Sequence, residues 1–335
     1  MATVGTNNID LVDFARRQNP DGRIDRIVEL LNQTNEVLDD LHYMECNDGT
    51  TNITTVRTGL PTATWRKLYG GVPSGKSTTA QVSDTCGMLE ALPKVDCDAV
   101  DKSSDPAGAL LSENKPWLEA MAQQVAQTIF YGDTGAYPQR FNGLHIRYNA
   151  APSTTSTLAT YNILSGSGAA SVNTSIWCVC WGAEACHALY PKGSNVGLQY
   201  QNLGKILTTS LDTTNYPGDF QAYVTKYKWD LGLCVRDWRS VGRVCNIDIT
   251  NLEAESSAAD LVKLMIKLDE RIKTNGGRKV WYMHPRVRTM LRLQMLAKDN
   301  VYLSLDNLAG RQVLAFNGAP VRVSDQLSLA EATIS

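Results

Sequence analysis

Gly70 to Ser77 reads GGVPSGKS, which meets the spacing G-x-x-x-x-G-K-S. In that pattern backbone N–H groups cradle phosphates, Lys76 would reach them and the Ser77 hydroxyl would hold Mg2+. The chemistry needs a buried strand before the loop and a helix N-terminus after it, so that open N–H groups face the anion. Here Trp65-Arg66-Lys67-Leu68-Tyr69 precedes the loop and is no buried parallel strand. The residues that follow, STTAQVSDT, carry no helical stripe, and Asn246 interrupts Val244 to Asp248, the best apolar run ending in a metal-binding Asp. A P-loop NTPase using Lys76 and Ser77 stays as a rival reading that its surroundings argue against.

A second set is Cys178, Cys180, Cys186 and His187, close enough in sequence to raise a metal question. Structural zinc sites use a C-x-x-C knuckle in a tight loop with a second ligand pair elsewhere. Cys178 and Cys180 instead alternate along an apolar run, as small core residues do. His42, His145 and His284 stand beside no nucleophile–acid arrangement that spacing reveals. The expectation is therefore no catalytic set, no metal, no cofactor and no enzyme.

The elements that must position these residues read as follows. SIWCVCW puts Ile176, Cys178 and Cys180 on one face and Trp177, Val179 and Trp181 on the other, a central strand of a covered sheet. GAEACHALYPKGS after it reads as a helical turn and a Pro/Gly turn. From Thr50 to Asp96, two Thr/Val-rich alternating stretches flank the glycine-rich loop and predict a long two-stranded hairpin. It holds too little apolar residue to bury both faces, and an isolated ribbon is marginal in water. Arg57, Arg66, Lys67 and Lys76 make it cationic. It is either a solvated hairpin or, as its length favours, an arm that crosses an adjacent copy and pairs with carboxylates there.

Leu118, Met121, Val125 and Ile129 recur at helical spacing within NKPWLEAMAQQVAQTIFYG. Asn114 is the expected N-cap, Pro116 falls in the first turn and Gly132 stops the helix. The strut spans roughly 25 Å at ~1.5 Å per residue. Before it, residues 21–41 place Ile24, Ile27, Leu31, Leu38 and Leu41 on one amphipathic side, facing the chain's own core or a neighbouring subunit. After it, residues 150–173 and Leu211 to Pro217 read as polar loops. FQAYVTKYKWDLGLCVRDWRSVGRVCNIDIT gives two or three strands broken at Asp237-Trp238-Arg239, the last alternating through Val241, Arg243, Cys245, Ile247 and Ile249. Ser257 to Asp260 reads as a capping box before Leu261, Leu264, Met265, Leu268 and Ile272, and Asn275-Gly276-Gly277 ends that helix. KVWYM is a short buried strand, RVRTMLRLQMLA a second amphipathic helix, and GAPVRVSDQL a last strand and turn.

A chain of 335 residues suggests about two domains. Its 43% hydrophobic and 20% charged content is that of a folded chain with a core. A net charge of −2 argues against general polyanion binding. The N-terminus lacks a signal-peptide pattern and no apolar run reaches ~18 residues, so a soluble, cytosol-made chain with reduced thiols and no membrane partner is expected.

These segments together carry a resemblance. QTIFYGDTGAYPQRFNGL resembles the spine helix and exit of tailed-phage major capsid proteins, and WYMHPRVRTMLRLQ and GAPVRVSD resemble the matching pieces of that fold, which herpesvirus capsid floors share. RTGLPTATWR, TTAQVSDTCGMLEA, WGAEACHALYPKGS and YKWDLGLCVRDWR resemble podovirus-type members more closely, so the likeness spans nearly the whole chain. It implies an α+β fold with a spine helix, an extended β-hairpin loop, an N-terminal arm and a sheet-centred axial domain. The implied divisions are 1–45 (arm and helix), 46–97 (hairpin loop), 98–144 (peripheral domain with spine), 145–254 (axial sheet block) and 255–335 (helix-strand-helix block). One departure is that the sheet-rich block 175–250 resembles what usually closes the chain, which implies rearranged connectivity.

The resemblance implies a virion protein, assembled in host cytoplasm, that forms hexamers and pentamers of an icosahedral shell around double-stranded DNA without sequence-specific binding. Implied partners are other copies of itself, a scaffolding protein, the portal and, where the shell carries one, a decoration or cement protein. In that frame Arg57, Trp65, Arg66, Lys67 and Lys76 belong to a subunit interface, and Leu118, Met121, Val125 and Ile129 to the spine. Some members join subunits by a lysine–asparagine isopeptide bond. Lys76 has no assignable asparagine and carboxylate partner, so no covalent bond is expected. Another virion structural protein, of tail or decoration type, is the remaining alternative.

Overall fold

A computed structural model of the protein describes residues 33–103, 105–156, 158–169, 172–210, 218–255, 258–296, 303–308 and 311–334. In chain order the elements are α1 (Val37–Asp40), β1 (Tyr43–Glu45), β2 (Thr51–Gly59), β3 (Thr78–Ala91), β4 (Lys94–Asp96), α2 (Cys97–Asp101), α3 (Pro106–Tyr131) and α4 (Leu144–Arg147). There follow β5 (Ile163–Ser165), β6 (Asn173–Trp181), β7 (Cys186–Tyr190), β8 (Leu198–Thr209), β9 (Asp219–Val235), β10 (Val241–Asp248) and α5 (Ile249–Glu253). The last are α6 (Leu261–Arg271), β11 (Arg278–Met283), α7 (Pro285–Leu296), β12 (Leu303–Leu308), β13 (Arg311–Phe316) and β14 (Ala319–Val323). Contacts divide the chain into a smaller unit (Met1–Gln33, Met88–Val125, Asn195–Asp230) and a larger one (Thr34–Gly87, Ala126–Ser194, Leu231–Ser335). Of the amphipathic stretch expected over 21–41, all but its last residues, Leu38 and Leu41 among them, lies outside the described residues.

The larger unit is built on β6, every residue of which is buried. It pairs antiparallel with β10 and β11, and β14 extends the sheet parallel to β11. Ile176, Cys178 and Cys180 share one core with Leu261, Met265 and Leu268 of α6 and Val287 and Leu291 of α7. On the other face Trp177 meets the Phe130 and Tyr148 rings, and the Trp181 indole donates to the Tyr282 hydroxyl at 2.8 Å. A strand apolar on both faces is thus covered on both faces, as its pattern requires.

Three local readings need correction here. Cys186–Tyr190 is strand β7, not a helical turn, because its backbone pairs with β9 and β1 and its first four residues are buried. The alternation of β10 breaks at Asn246, a bulge with φ 53°, which brings Val244 and Ile247 into the same core. Asp260 is itself the N-cap of α6, its carboxylate accepting from Lys263 N at 3.2 Å, whereas Ser257 lies outside the described residues. That helix ends at Arg271, and Asn275-Gly276 forms the left-handed turn into β11. β12 and β13, strands beyond those expected above, pair antiparallel, with β13 against β14.

In the smaller unit β8 and β9 pair antiparallel from Leu198↔Trp229 to Thr209↔Asp219, with β4 on the other side of β9. Ala91, Met121 and Tyr227 form its apolar centre, with Leu89, Leu118 and Trp229 against them. The loop Leu211 to Pro217 lies outside the described residues.

Helix α3 starts at Pro106, not after Asn114. The rule used for Asn114-Lys115-Pro116 applies one step earlier in the chain. Asp105 caps the helix, its carboxylate accepting from Gly108 N at 3.0 Å, and Pro106 fills the first position, where no N–H is needed. Asn114 is a buried interior residue, and Pro116 lies inside the helix with its ring exposed. The end is as expected, because Gly132 follows Tyr131. An added Cβ on Gly132 would lie 2.2 Å from the Phe141 carbonyl, and Gly143 N donates to the Gly132 carbonyl at 2.9 Å. Two glycines therefore let the returning strand of chain touch the helix end backbone to backbone.

Candidate assembly interface

The β2–β3 hairpin pairs antiparallel from Thr51↔Thr85 to Gly59↔Thr78, with a bulge between Arg57 and Gly59. Thr and Val fill it because β-branched side chains suit a pleated surface. Its root is held firmly. Asp84, buried after a run of exposed residues in β3, accepts from Arg147 Nη2 at 2.7 Å, and the same nitrogen donates to the Leu233 carbonyl at 3.1 Å. Cys86 N donates to the Thr50 carbonyl at 2.9 Å.

Beyond the root the hairpin stands in solvent. Residues 60–69 and 71–76 are all exposed, with Leu60 at 81%, Leu68 at 84%, Tyr69 at 98% and Trp65 effectively bare. Between Gly49 and Ser83 the chain carries four cations and no carboxylate. Arg57, Arg66, Lys67 and Lys76 are all exposed, and among the described residues none pairs with a carboxylate. Arg66 Nε instead donates to the Gly70 carbonyl at 2.9 Å, closing a turn with Gly70 N on Lys67 O at 3.0 Å. The tip thus exposes several large apolar side chains close to cations, the kind of patch that makes it a candidate contact surface.

The phosphate-loop geometry is missing. Gly70 to Ser77 joins two antiparallel strands of one hairpin, and no helix begins at Ser77. Without a helix N-terminus there is no aligned set of N–H groups to cradle an anion. Cys178 and Cys180 lie in the apolar core of β6, while Cys186 and His187 are adjacent on β7 and so point to opposite faces. Burial holds the Cys180 thiol up at about 11 and pushes the His187 imidazole below its ordinary value. Burial of that kind keeps thiols protonated and inert.

Of the four strut residues, Met121, Val125 and Ile129 are buried and Leu118 is partly so. Leu118 and Met121 serve the apolar centre of the smaller unit, whereas Ile129, beside Phe130, belongs to the larger. Sequence reasoning singled out Trp65 but passed over Leu60, Leu68, Tyr69 and Val72, which show no period. It also passed over Asp84 and Arg147, whose pairing across the fold leaves no local signal. In the smaller unit Asp96, Asp98, Asp101 and Asp105 form an exposed acidic stretch. There Lys205 Nζ donates to Asp101 at 2.7 Å and the Tyr223 hydroxyl at 3.0 Å, which hold the Asp101 carboxyl below its usual range.

The model of the family "Major capsid protein GP7" matches residues 19–335. A chain in the near-atomic-resolution structure of bacteriophage Epsilon15 is 32% identical, with a TM-score of 0.78, over 100% of this chain and 99% of that one. Weaker likenesses are to the capsid of the native GTA particle (10% identity, 72% of this chain and 99% of that one, TM-score 0.46). Another is Mycobacterium phage Adephagia (11% identity, 66% of this chain and 94% of that one, TM-score 0.41). No curated protein sequence matches. With the family model spanning nearly all of it and a whole-length match to a phage structure, this chain belongs to the GP7 family of major capsid proteins and has the capsid-shell fold of a tailed bacteriophage.

Proposed function

We propose that the chain is the repeating tile of an icosahedral shell, joined in hexamers and pentamers and closed around double-stranded DNA. The observation that carries this is the hairpin tip, where Leu60, Trp65, Leu68 and Tyr69 stand in water beside four cations that pair with no carboxylate among the described residues. Such a surface gains by burial against another copy, at about 25 cal/mol per Å2 of apolar area. The exposed carboxylates at Asp96, Asp98, Asp101 and Asp105 are a matching acidic receiver on that copy. In this reading α3 is the spine of the peripheral domain, the sheet-rich block 145–254 supplies the axial domain, and the helix-strand-helix block 255–335 completes both. Arg57, Trp65, Arg66, Lys67 and Lys76 act at the interface.

Each contact is modest, and many acting together close a stable container while misplaced tiles still leave during growth. The shell forms on a scaffolding protein in host cytoplasm, carries a portal, takes a decoration protein where one exists, and expands as DNA enters by rotation of packed bodies. A net charge of −2 suits a wall that faces DNA without adhering to it. The tile performs no catalysis and turns over no nucleotide. Imaging of the expressed protein by negative stain, with a parallel nucleotide-hydrolysis assay, tests this reading. Closed shells without turnover are expected, and turnover by a lone chain that never closes a shell overturns it.

A further inference from the structure

Cys46, just after β1, and Cys86, in β3, face each other with their sulfurs 3.4 Å apart. We propose that this pair is a reactive dithiol that closes to a disulfide under a small-molecule disulfide oxidant and locks the root of the hairpin. Both backbones are already fixed, Cys46 N on the Tyr190 carbonyl at 3.0 Å and Cys86 N on the Thr50 carbonyl at 2.9 Å. The Cys86 sulfur lies over Gly232, where an added Cβ would come within 3.0 Å of it. At 3.4 Å the two sulfurs are in van der Waals contact, and the bond would draw them to ~2.05 Å.

The surroundings assign roles to the two thiols. Cys86 is part-exposed, whereas the other seven cysteines are buried. Cys234 shares the same small cluster, but its sulfur is engaged by Asn52 at 3.5 Å and Thr54 at 3.7 Å. Burial raises the Cys46 thiol, so the outer sulfur is the one that meets the oxidant first.

With oxidised glutathione the step balances as follows. The Cys86 thiolate attacks one glutathione sulfur, forms a mixed disulfide and releases one glutathione thiolate. Cys46 gives up its proton to solvent and attacks the Cys86 sulfur, expelling the second glutathione. Two protein thiols are oxidised, and one glutathione disulfide is reduced to two thiols. The new bond would close the chain from 46 to 86, a loop that holds all of β2 and the exposed tip.

In a reducing cytosol the dithiol stays open and the hairpin root is held by its hydrogen bonds and the Asp84–Arg147 pair without a covalent link; outside it the bond closes. That use rests on the shell reading, since a particle leaves its host, whereas the bond itself does not.

Peptide mapping of the full chain tests it. Native protein is treated with oxidised glutathione, its remaining thiols are alkylated, and it is digested with trypsin without reductant. The expected product is peptide 27–57 joined to peptide 77–94 with the loss of two hydrogens, absent from the reduced sample. The thermal midpoint should rise by roughly 5 °C, reversed by dithiothreitol. Cys46→Ser should leave Cys86 carrying glutathione and unlinked. Recovery of both peptides unlinked from the oxidised wild type, or a link from Cys86 to the Cys234 peptide, overturns the proposal, and the wild-type map suffices should the variant not fold. The map needs no shell, so a chain that links these peptides yet never assembles refutes the shell reading alone.

Discussion

Arg243 and Glu331 meet at 2.9 Å in the larger unit with side-chain exposures of 0% and 3%. Each nitrogen of Arg243 thus has an acceptor, with Nε on Ser175 Oγ and Nη1 on the Tyr148 carbonyl, each at 2.9 Å, and the guanidinium lies over the Trp177 ring. Glu331 also accepts from the Tyr131 and Ser175 hydroxyls. The pair ties the last residues of the chain to the middle of the sheet. Removing one partner leaves an uncompensated buried charge, so Glu331→Ala should lose about 3–5 kcal/mol. The double variant Arg243→Met with Glu331→Leu should recover much of that, because two apolar side chains need no partners. Urea unfolding of the three proteins checks both statements, and equal losses in single and double variants would contradict the account.

Gly132→Ala drives a Cβ to 2.2 Å from the Phe141 carbonyl and 2.6 Å from the Thr128 carbonyl. Both are backbone atoms that cannot rotate away, so a loss of about 3 kcal/mol is expected. Gly71→Ala, where nothing lies within 4 Å, is the control and should stay within ~0.5 kcal/mol. Chemical denaturation of both variants measures the difference.

What was readable in the residues follows from how local the cause is. β6, the hairpin and α7 declare themselves because burial on two faces, alternation and a helical stripe are all short-range patterns. The start of α3 was misplaced since Asn114-Lys115-Pro116 and Asp105-Pro106 present the same cap chemistry, and only tertiary packing of Ala109 and Asn114 decides between them. β7 was missed because five residues beside a Pro/Gly turn carry little period, and pairing with β9 makes them a strand. The cationic residues of the hairpin were visible as composition. Asp84–Arg147, Arg243–Glu331 and Cys46–Cys86 were not, for each joins positions far apart in the chain and has no signature at either end.

The hairpin tip should matter to assembly and not to folding. Arg66→Glu with Lys67→Glu reverses charge at two exposed positions, and Trp65→Ala removes a bare indole. Each should leave the stability of the unassembled chain within ~0.5 kcal/mol. Shell yield by velocity sedimentation should fall, and assembly of the charge variant should depend less on salt than that of the wild type. Normal yield from both variants would remove the tip from the interface.

Lys76 offers a separate check on the glycine-rich loop. Lys76→Ala should leave nucleotide affinity unchanged at a baseline level, because Gly70 to Ser77 closes a hairpin and no helix N-terminus faces it. Isothermal titration of ATP with Mg2+ into both proteins measures this, and a saturable wild-type signal lost in the variant would restore the nucleotide reading.

Acid should weaken the fold through the buried His187 and the half-buried His145 and His284. Burial is the first cause lowering His145, His187 and His284 below the ordinary 6.5. Each is therefore neutral in the folded chain at a pH where the unfolded chain already binds a proton. In that window the unfolded state holds more protons, so stability rises with pH. The contribution is complete above about pH 6.5 and is lost as pH falls from there through the folded-state values. His187, with Nδ1 buried and unpartnered among the described residues, should dominate, and Arg236 nearby adds to the same direction. The thermal midpoint of unassembled protein should drop between pH 7 and pH 5, and His187→Gln should flatten part of that slope. A midpoint that climbs on acidification would mean that these imidazoles gain protons in the folded state instead.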